Sequence, residues 1–348
     1  MQQASLPPQG LSRRRMVMAL PLLGGAVWGG GASAGAQVMS ERSSRPLMGT
    51  QVDMAVEGVD GPQLRRAMDR SYAEMQRLEA LMSRYQPRSV VSRINLAAGI
   101  VPVAVPPEVM AVLQSAQRVS AVSRGGFDVT VGAFKSWNFG PGDKVVPGAR
   151  EIARQLPLVD ARSLVLDAAA GTAFLARQGM ALDLGGIAKL PILEAGMNML
   201  RSEGVENAMI NGGGDVLTHG LWQGRPWRVG LRDPRSPERL LGVVAVAGTG
   251  VVASSGDYER FFFHQGQRQH HVLNPRTGRP ASGVHGVSLV ARDVAAVNGL
   301  GAALMVQGPQ AGRALAQRMP GLAVLIAGQD GGVWQSTAMS ALLEPVPS

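Results

Sequence analysis

Residues 179–189 read GMALDLGGIAK. An apolar run through Met180, Leu182 and Leu184 stops at a glycine pair, and the helix-compatible stretch KLPILEAGMNMLRS follows. The reading is a strand, a Gly-Gly turn and a helix over Leu190–Ser202. A chain that leaves a strand in this way exposes backbone N–H groups at the helix start. Lys189 falls in the first turn, so amides and ammonium together suit a phosphate. A glycine pair used only for a tight turn gives the same pattern, and the stretch is neither G-x-G-x-x-G nor a Walker motif. Outward from it, NAMING, WRVGLR, LLGVVAVAG, HHVLNP, GVSLVA and LAVLIAG read as strands, and QVDMAVEG alternates Val52, Met54 and Val56 with the period of a half-buried strand. A helix from Pro62 is expected from Leu64, Met68, Met75, Leu78 and Met82; others are expected over Pro107–Val122, ending at Gly125-Gly126, and over Pro309–Arg318. Residues 37–50 read as polar. Strands in series with a few helices predict an α+β fold of mixed or antiparallel sheets with packed helices, not a βαβ repeat.

The chain has 348 residues, 45% of them hydrophobic, with a mean hydropathy of +0.07. These values suit one large or two modest compact domains. Arg13, Arg14 and Arg15 precede the apolar run MALPLLGGAVW and the small-residue pattern Ala34-Gly35-Ala36. Residues 1–36 therefore read as a twin-arginine signal peptide, with a retained membrane anchor as the alternative. That route implies a periplasmic protein, with residues 37–348 as the mature domain and no transmembrane segment in it. The formal charge of +9 falls to +9 − 3 = +6 once the three leader arginines are removed. Dispersed arginines and only 4% aromatic residues argue against a nucleic-acid surface. The absence of cysteine excludes disulfides, thiolate metal sites and cysteine nucleophiles. Lys189 also stands out because it is one of only three lysines, beside Lys135 and Lys144.

Three further clusters could carry chemistry. GGFDVTVGAFKSWNFGPG (125–142) puts Asp128 and Thr130 on an expected strand and crowds Phe134, Trp137 and Phe139 together, either as a stacking wall for a flat ring or as a local core. Asn211-Gly212-Gly213-Gly214-Asp215 requires positive φ or close backbone approach, through a ligand or a tight hairpin. SSGDYERFF (254–262) precedes HHVLNPRTG (270–278). Neighbouring His270 and His271 point to opposite faces of a strand, so they do not share a metal, but one of them facing a site could accept a proton.

In order, PLMGT (46–50), MSRYQPRSVVSRIN (82–95), GGFDVTVGAF with WNFGP, ALDLGGIAK, INGGGDV, SSGDYERFF and HHVLNPRTG resemble the ApbE family of FAD:protein FMN transferases. The resemblance runs from the residues around 46 to about Gly308. It implies cleavage of the FAD pyrophosphate, attachment of FMN by a phosphoester to a threonine or serine of a target protein, and help from Mg²⁺. The implied partner is a flavin-acceptor protein of a membrane or periplasmic redox complex. Carried onto this sequence, the resemblance assigns Met48, Tyr85, Trp137, Asn138, Phe139, Asp183, Lys189 and Leu273 to FAD. It makes His271 the general base, with Lys189 beside the reacting phosphate, and it places the metal at Gly186, Asn298 and Ala302.

Departures from the family pattern concentrate at the metal. Val297-Asn298-Gly299-Leu300-Gly301-Ala302-Ala303-Leu304 stands where the resemblance implies Ala-Asp-Ala-Leu-Ser-Thr-Ala-Leu. A carboxylate has become Asn298 and a hydroxyl has become Ala302, which weakens a site for a hard cation; Asp293 lies five residues earlier as a candidate replacement. Asn274 replaces an aspartate before Pro275, and Leu190-Pro191-Ile192 replaces Gly-Tyr-Ala, so Pro191 must sit in the helix's first turn. A FAD-binding carrier or maturation protein without transferase activity, and a nucleotide hydrolase using water, are the alternatives.

Overall fold

The computed structural model describes residues 38–140, 142, 144–319 and 321–346. The leader reading for residues 1–36 lies outside them. Strands and helices are numbered along the chain. The spine is an antiparallel sheet of β1 (Met39–Leu47), β2 (Thr50–Gly58), β6 (Asn207–Gly212), β7 (Asp215–His219), β10 (Gly250–Gly256), β13 (Val284–Ala291), β14 (Ala323–Gly328) and β15 (Val333–Gln335), in that spatial order. Two small sheets accompany it: β8 (Trp227–Asp233) with β9 (Ser236–Val246) and β16 (Leu343–Glu344), and β3 (Val103–Ala104) with β5 (Thr172–Leu175) and β4 (Leu164–Asp167). β11 (Phe261–His264) and β12 (Gln267–His270) form a separate hairpin. The helices are α1 (Gly61–Met82), α2 (Val90–Leu96), α3 (Pro107–Val122), α4 (Ala149–Gln155), α5 (Lys189–Ser202), α6 (Leu300–Gln317) and α7 (Thr337–Leu342). The architecture is α+β, as the run of strands and helices predicts.

Both faces of the spine are buried. Val52, Met54, Val56, Ile210, Leu217, Val251, Leu289 and Val324 face a core shared with α1, α3, α5 and α6. The alternate residues Ala55, Met209, Val216, Val252, Val290 and Leu325 face a smaller core closed by Trp227 and Val229 of β8, Val244 of β9 and Met339 of α7. Successive side chains point to opposite faces of a strand, so a sheet covered twice reads as unbroken apolar sequence, as in LAVLIAG. α1 buries all five residues of its expected stripe, and the side chain of Asp60 caps it by accepting from Gln63 N. α1 and α5 cross at Gly196, where a Cβ would stand 2.8 Å from Met75 Sδ.

The structure departs from the sequence reading in five places. Residues 37–50 hold β1, a polar edge strand paired along its length with β2. GMALDLG is not a strand. Ala181 makes one isolated bridge to Val131, and the side chain of Asn95 satisfies both backbone groups of Leu182, accepting from its N at 2.6 Å and donating to its O at 3.1 Å. Nor do Asp128 and Thr130 lie on a strand: Asp128 Oδ1 accepts from Thr130 N and Oγ1 and folds the segment on itself. HHVLNP is strand only to His270, then turns so that Leu273 bridges Pro280. The helix expected from Pro309 is the second half of α6, joined to the first across a kink at Gly308 (φ 79°, ψ 174°).

Candidate active site

Two tight turns meet at one end of the sheet. Met48 and Gly49, both at positive φ (54° and 69°), link β1 to β2, and Gly213 and Gly214 (69° and 101°) link β6 to β7. Such two-residue turns match the twist of the strands they join. The glycine run is thus a tight hairpin, and it is also crowded: a Cβ on Gly213 would stand 2.3 Å from Thr50 Oγ1. Met48 is held in its left-handed conformation by its N–H, which donates to Glu79 Oε1 at 3.0 Å. Across this end, β10 finishes in Ser254, Ser255 and Gly256, and the segment 257–260 follows.

The DLGGIAK loop enters from the helical side. Asp183 Oδ1 accepts from Gly185 N at 2.9 Å, and its Oδ2 pairs with Arg84 Nη1 at 2.7 Å. The Arg84 guanidinium lies 5.3 Å from the ring centre of Tyr85, whose residue is 75% exposed. Gly185 and Gly186 are exposed, and Ala188 starts α5 with no side-chain cap. The first amides of α5 are therefore free of side-chain partners and carry the positive end of the helix dipole. Pro191 falls in the first turn, where its missing N–H costs nothing. From that turn Lys189 Nζ reaches Asp215 Oδ2 at 2.8 Å, and Asp215 Oδ1 accepts from Ser254 N at 2.9 Å. Asp215 thereby joins the glycine hairpin, β10 and the start of α5 through a single carboxylate.

His271 follows β12. Its backbone N donates to Arg260 O at 3.1 Å, and its Nδ1 lies 3.3 Å from the same oxygen. A carbonyl only accepts, so Nδ1 carries the hydrogen and Nε2 is left as the basic nitrogen. Crowding by protein and the charge of Arg260 both lower the pKa of this histidine, so the ring is neutral at physiological pH. The residue still keeps open surface, which moderates the shift without changing its direction. His270 faces the other way, buried, with Nε2 at 2.8 Å from Ala281 O, so the two histidines do occupy opposite faces.

Arg260 Nη2 lies 3.5 Å from Met48 O and 3.0 Å from where a Cβ on Gly49 would be, so the segment after β10 closes over the Met48 turn. Burial raises the pKa of Glu259 while Lys189 and Arg232 oppose the shift; Arg232 Nη1 is 3.8 Å away. Asp257, only 1% exposed, accepts from Arg268 Nη1 and from His285 Nδ1, each at 2.7 Å, which anchors the β11–β12 hairpin that carries His271.

The start of α6 reaches the same end. Gly299, at φ 76°, is its N-cap; a Cβ there would stand 3.2 Å from Ile187 Cδ1, so this turn rests on the DLGGIAK loop. A Cβ on Gly301 would stand 2.4 Å from Ser255 Oγ. Asn298 is buried and Ala302 packs on the main core. Asp293 Oδ1 accepts from Ala296 N, which closes the preceding turn.

Of the residues singled out in the sequence, Met48, Asp183, Gly186, Lys189, His271 and Asn298 converge here, and Tyr85 joins through Arg84. Trp137, Phe139 and Leu273 form a separate apolar cluster with Phe134 and Phe262. Trp137 is 6% exposed, stacks on Phe139 at 5.5 Å and donates from Nε1 to Gly278 O, so its ring belongs to a local core. Asn138 Oδ1 accepts from Gly140 N. Sequence reasoning missed Arg84, Asp215, Glu259 and Arg260 as site residues. Each lies inside a quoted motif, but only the tertiary pairing reveals its part.

Comparison with known proteins shows the family and the fold. The ApbE family model matches residues 48–326. The chain is similar to a FAD:protein FMN transferase of Klebsiella pneumoniae (strain 342), 38% identical over 213 residues, which are 61% of this chain and 66%, just under two thirds, of that relative. It is 31% identical over 283 residues to a FAD:protein FMN transferase of Vibrio cholerae serotype O1, covering 79% of this chain and 83% of the relative. Among solved structures, the ApbE protein of Thermotoga maritima superposes with a TM-score of 0.81 at 30% identity, covering 88% of this chain and all of that one. The flavin transferase ApbE of Vibrio cholerae superposes with a TM-score of 0.76 at 28% identity, with the same coverage.

Proposed function

We propose a flavin transferase from one premise: this chain belongs to the ApbE family. It takes FAD as substrate and passes FMN to a hydroxyl of a second protein. The observation that carries this reading is the meeting, at one sheet end, of Lys189, the open start of α5 and a neutral His271 with a free Nε2. The acceptor threonine or serine oxygen attacks the phosphorus of the FMN half. His271 Nε2 takes the hydroxyl proton, the bond to the AMP oxygen breaks, and AMP leaves. Lys189 and the α5 amides stabilise the charge that builds on the phosphoryl oxygens. Tyr85 and Met48 support the flavin end, and Asp183 holds Arg84 beside Tyr85; Trp137, Phe139 and Leu273 stay in their own apolar cluster. The twin-arginine leader puts this work in the periplasm, on an acceptor of a redox complex.

Magnesium fits poorly. Among the described residues no three of His, Cys, Asp or Glu are grouped to hold a metal ion. The Ala302 side chain offers no donor, Gly186 offers only backbone, and Asn298 supplies a neutral carbonyl. The same poverty of ligands favours a second reading, a FAD carrier that does not transfer FMN. Incubation with FAD and an acceptor domain separates the two. An FMN-sized mass increase on the acceptor with release of AMP supports transfer. Bound FAD with neither product supports the carrier, and AMP with free FMN means hydrolysis.

A further inference from the structure

We infer that this chain grips the diphosphate of FAD with its own cations and without a divalent metal. This rests on the flavin-transferase reading and concerns how the same site is charged. Mg²⁺ demands near-octahedral oxygen at ~2.0–2.1 Å, supplied in proteins chiefly by carboxylates. Three features of the α6 corner oppose such a site. Position 302 carries a methyl group packed on the core. Asn298 lies outside α6, before its left-handed N-cap Gly299 (φ 76°), whereas Ala302 stands in its first turn. Asp215, a buried carboxylate at this sheet end, has its oxygens engaged by Lys189 Nζ and Ser254 N. An ammonium thus already stands 2.8 Å from Oδ2.

Positive charge is nevertheless present. Lys189 keeps 29% of its side chain exposed while paired, so an incoming phosphate can share its three donors. Arg260, exposed at the lip formed by Met48 and Gly49, has no ion-pair partner among the described residues. Asp183 is neutralised by Arg84, and Glu259 is opposed by Lys189, Arg232 and, more weakly, Arg260. Each phosphate of the diphosphate carries one negative charge; Arg260 meets one with an unpaired cation, and Lys189, whose charge Asp215 already balances, offers its remaining donors to the other. A guanidinium also presents a fork that matches phosphate oxygens and needs no assembly from solution.

The test is FAD affinity of the full-length chain, read by flavin fluorescence, in EDTA and in millimolar magnesium, with Mn²⁺ paramagnetic resonance as a direct probe of metal uptake. The expected result is a Kd that differs by less than about twofold between the two conditions, and a free-Mn²⁺ signal that the protein–FAD complex does not reduce. Arg260→Gln is expected to weaken FAD about tenfold in EDTA, where ten is the factor that 1.4 kcal/mol corresponds to. Magnesium tightening FAD tenfold or more, stoichiometric Mn²⁺ uptake, or an Arg260→Gln variant with unaltered affinity each overturns the inference and leaves the transferase reading standing. No FAD binding under either condition overturns both.

Discussion

Two helices begin beside the end of β10, and they start differently. α5 opens on Lys189, tied to Asp215 at 2.8 Å, behind an exposed glycine pair. α6 opens on a left-handed glycine, a second glycine pressed against Ser255 and a methyl group, with no charged side chain in its first turn. Both starts lack a side-chain cap, so both leave their first amides without side-chain partners. Of the two helix starts, only that of α5 carries a charged side chain. At the α6 start, glycine lets the backbone pack against Ser255 and Ile187, so this corner is built by close approach and not by charge.

The largest effect should come from the proton acceptor, which hangs from the β12 side and belongs to neither corner. His271→Ala is expected to slow transfer by about 10²–10⁴-fold, the usual contribution of a positioned base, with FAD affinity nearly unchanged. A variant that still transfers at the original rate would move the base elsewhere. The pH profile adds a sign. The neutral ring is the active form, and burial and Arg260 lower its pKa. Activity should thus hold as pH falls below ~6.5, the ordinary histidine value, and decline only in more acid solution. The unfolded chain takes up protons first in that same window, so stability should also be full above ~6.5 and be lost as pH falls. An acid limb centred at or above the ordinary value in single-turnover transfer would contradict the geometry.

Next come the two halves of the α5 pair. Lys189→Met removes the ammonium and leaves Asp215 largely buried and unpaired. FAD affinity should fall by about 10–100-fold, equal to ~1.4–2.8 kcal/mol, with some loss of thermal stability. Asp215→Asn removes the competing charge and frees the ammonium, so FAD should bind as tightly or more so. Equal losses in both variants would mean that the pair is only a strut, and the contrast between the two helix starts would lose its functional content.

The parts legible in the sequence are those fixed by near-neighbour spacing. The α1 stripe, the Lys189-to-Ser202 helix and the twice-buried strands follow from period and apolarity alone. Segment 179–184 escaped because its apolar residues are buried without a sheet: Asn95, far upstream, supplies the hydrogen bonds a neighbouring strand would have made. β1 escaped for the opposite reason, since an edge strand in water carries Glu41, Arg42 and Arg45 and shows no apolar signal. Trp137 looked like a ligand platform because aromatics are scarce; its burial against Phe139 and Phe262 is set by the return of Gly278, 141 residues later. The Lys189–Asp215 pair was not readable either. Both residues stood in quoted motifs, but two turns from distant strands have to meet before the ions do.

The smallest expected effect sharpens the comparison at its outer rim. Tyr85 is 75% exposed and makes no side-chain hydrogen bond among the described residues; its ring meets only the Arg84 guanidinium, which Asp183 holds. An exposed ring restrained from one side is poor at stabilising a fold and well suited to stacking on a flat heterocycle. Tyr85→Ala should leave the melting temperature within measurement error and weaken FAD by about 2–12-fold, the ~0.5–1.5 kcal/mol of an aromatic stack. Tyr85→Phe should restore it, because the ring face and not the hydroxyl makes the contact. AMP affinity, which reports the other half of the dinucleotide, should not respond to either change. A loss of AMP binding in Tyr85→Ala would place the ring at the adenine end and reverse the direction in which FAD lies between Tyr85 and the charged start of α5.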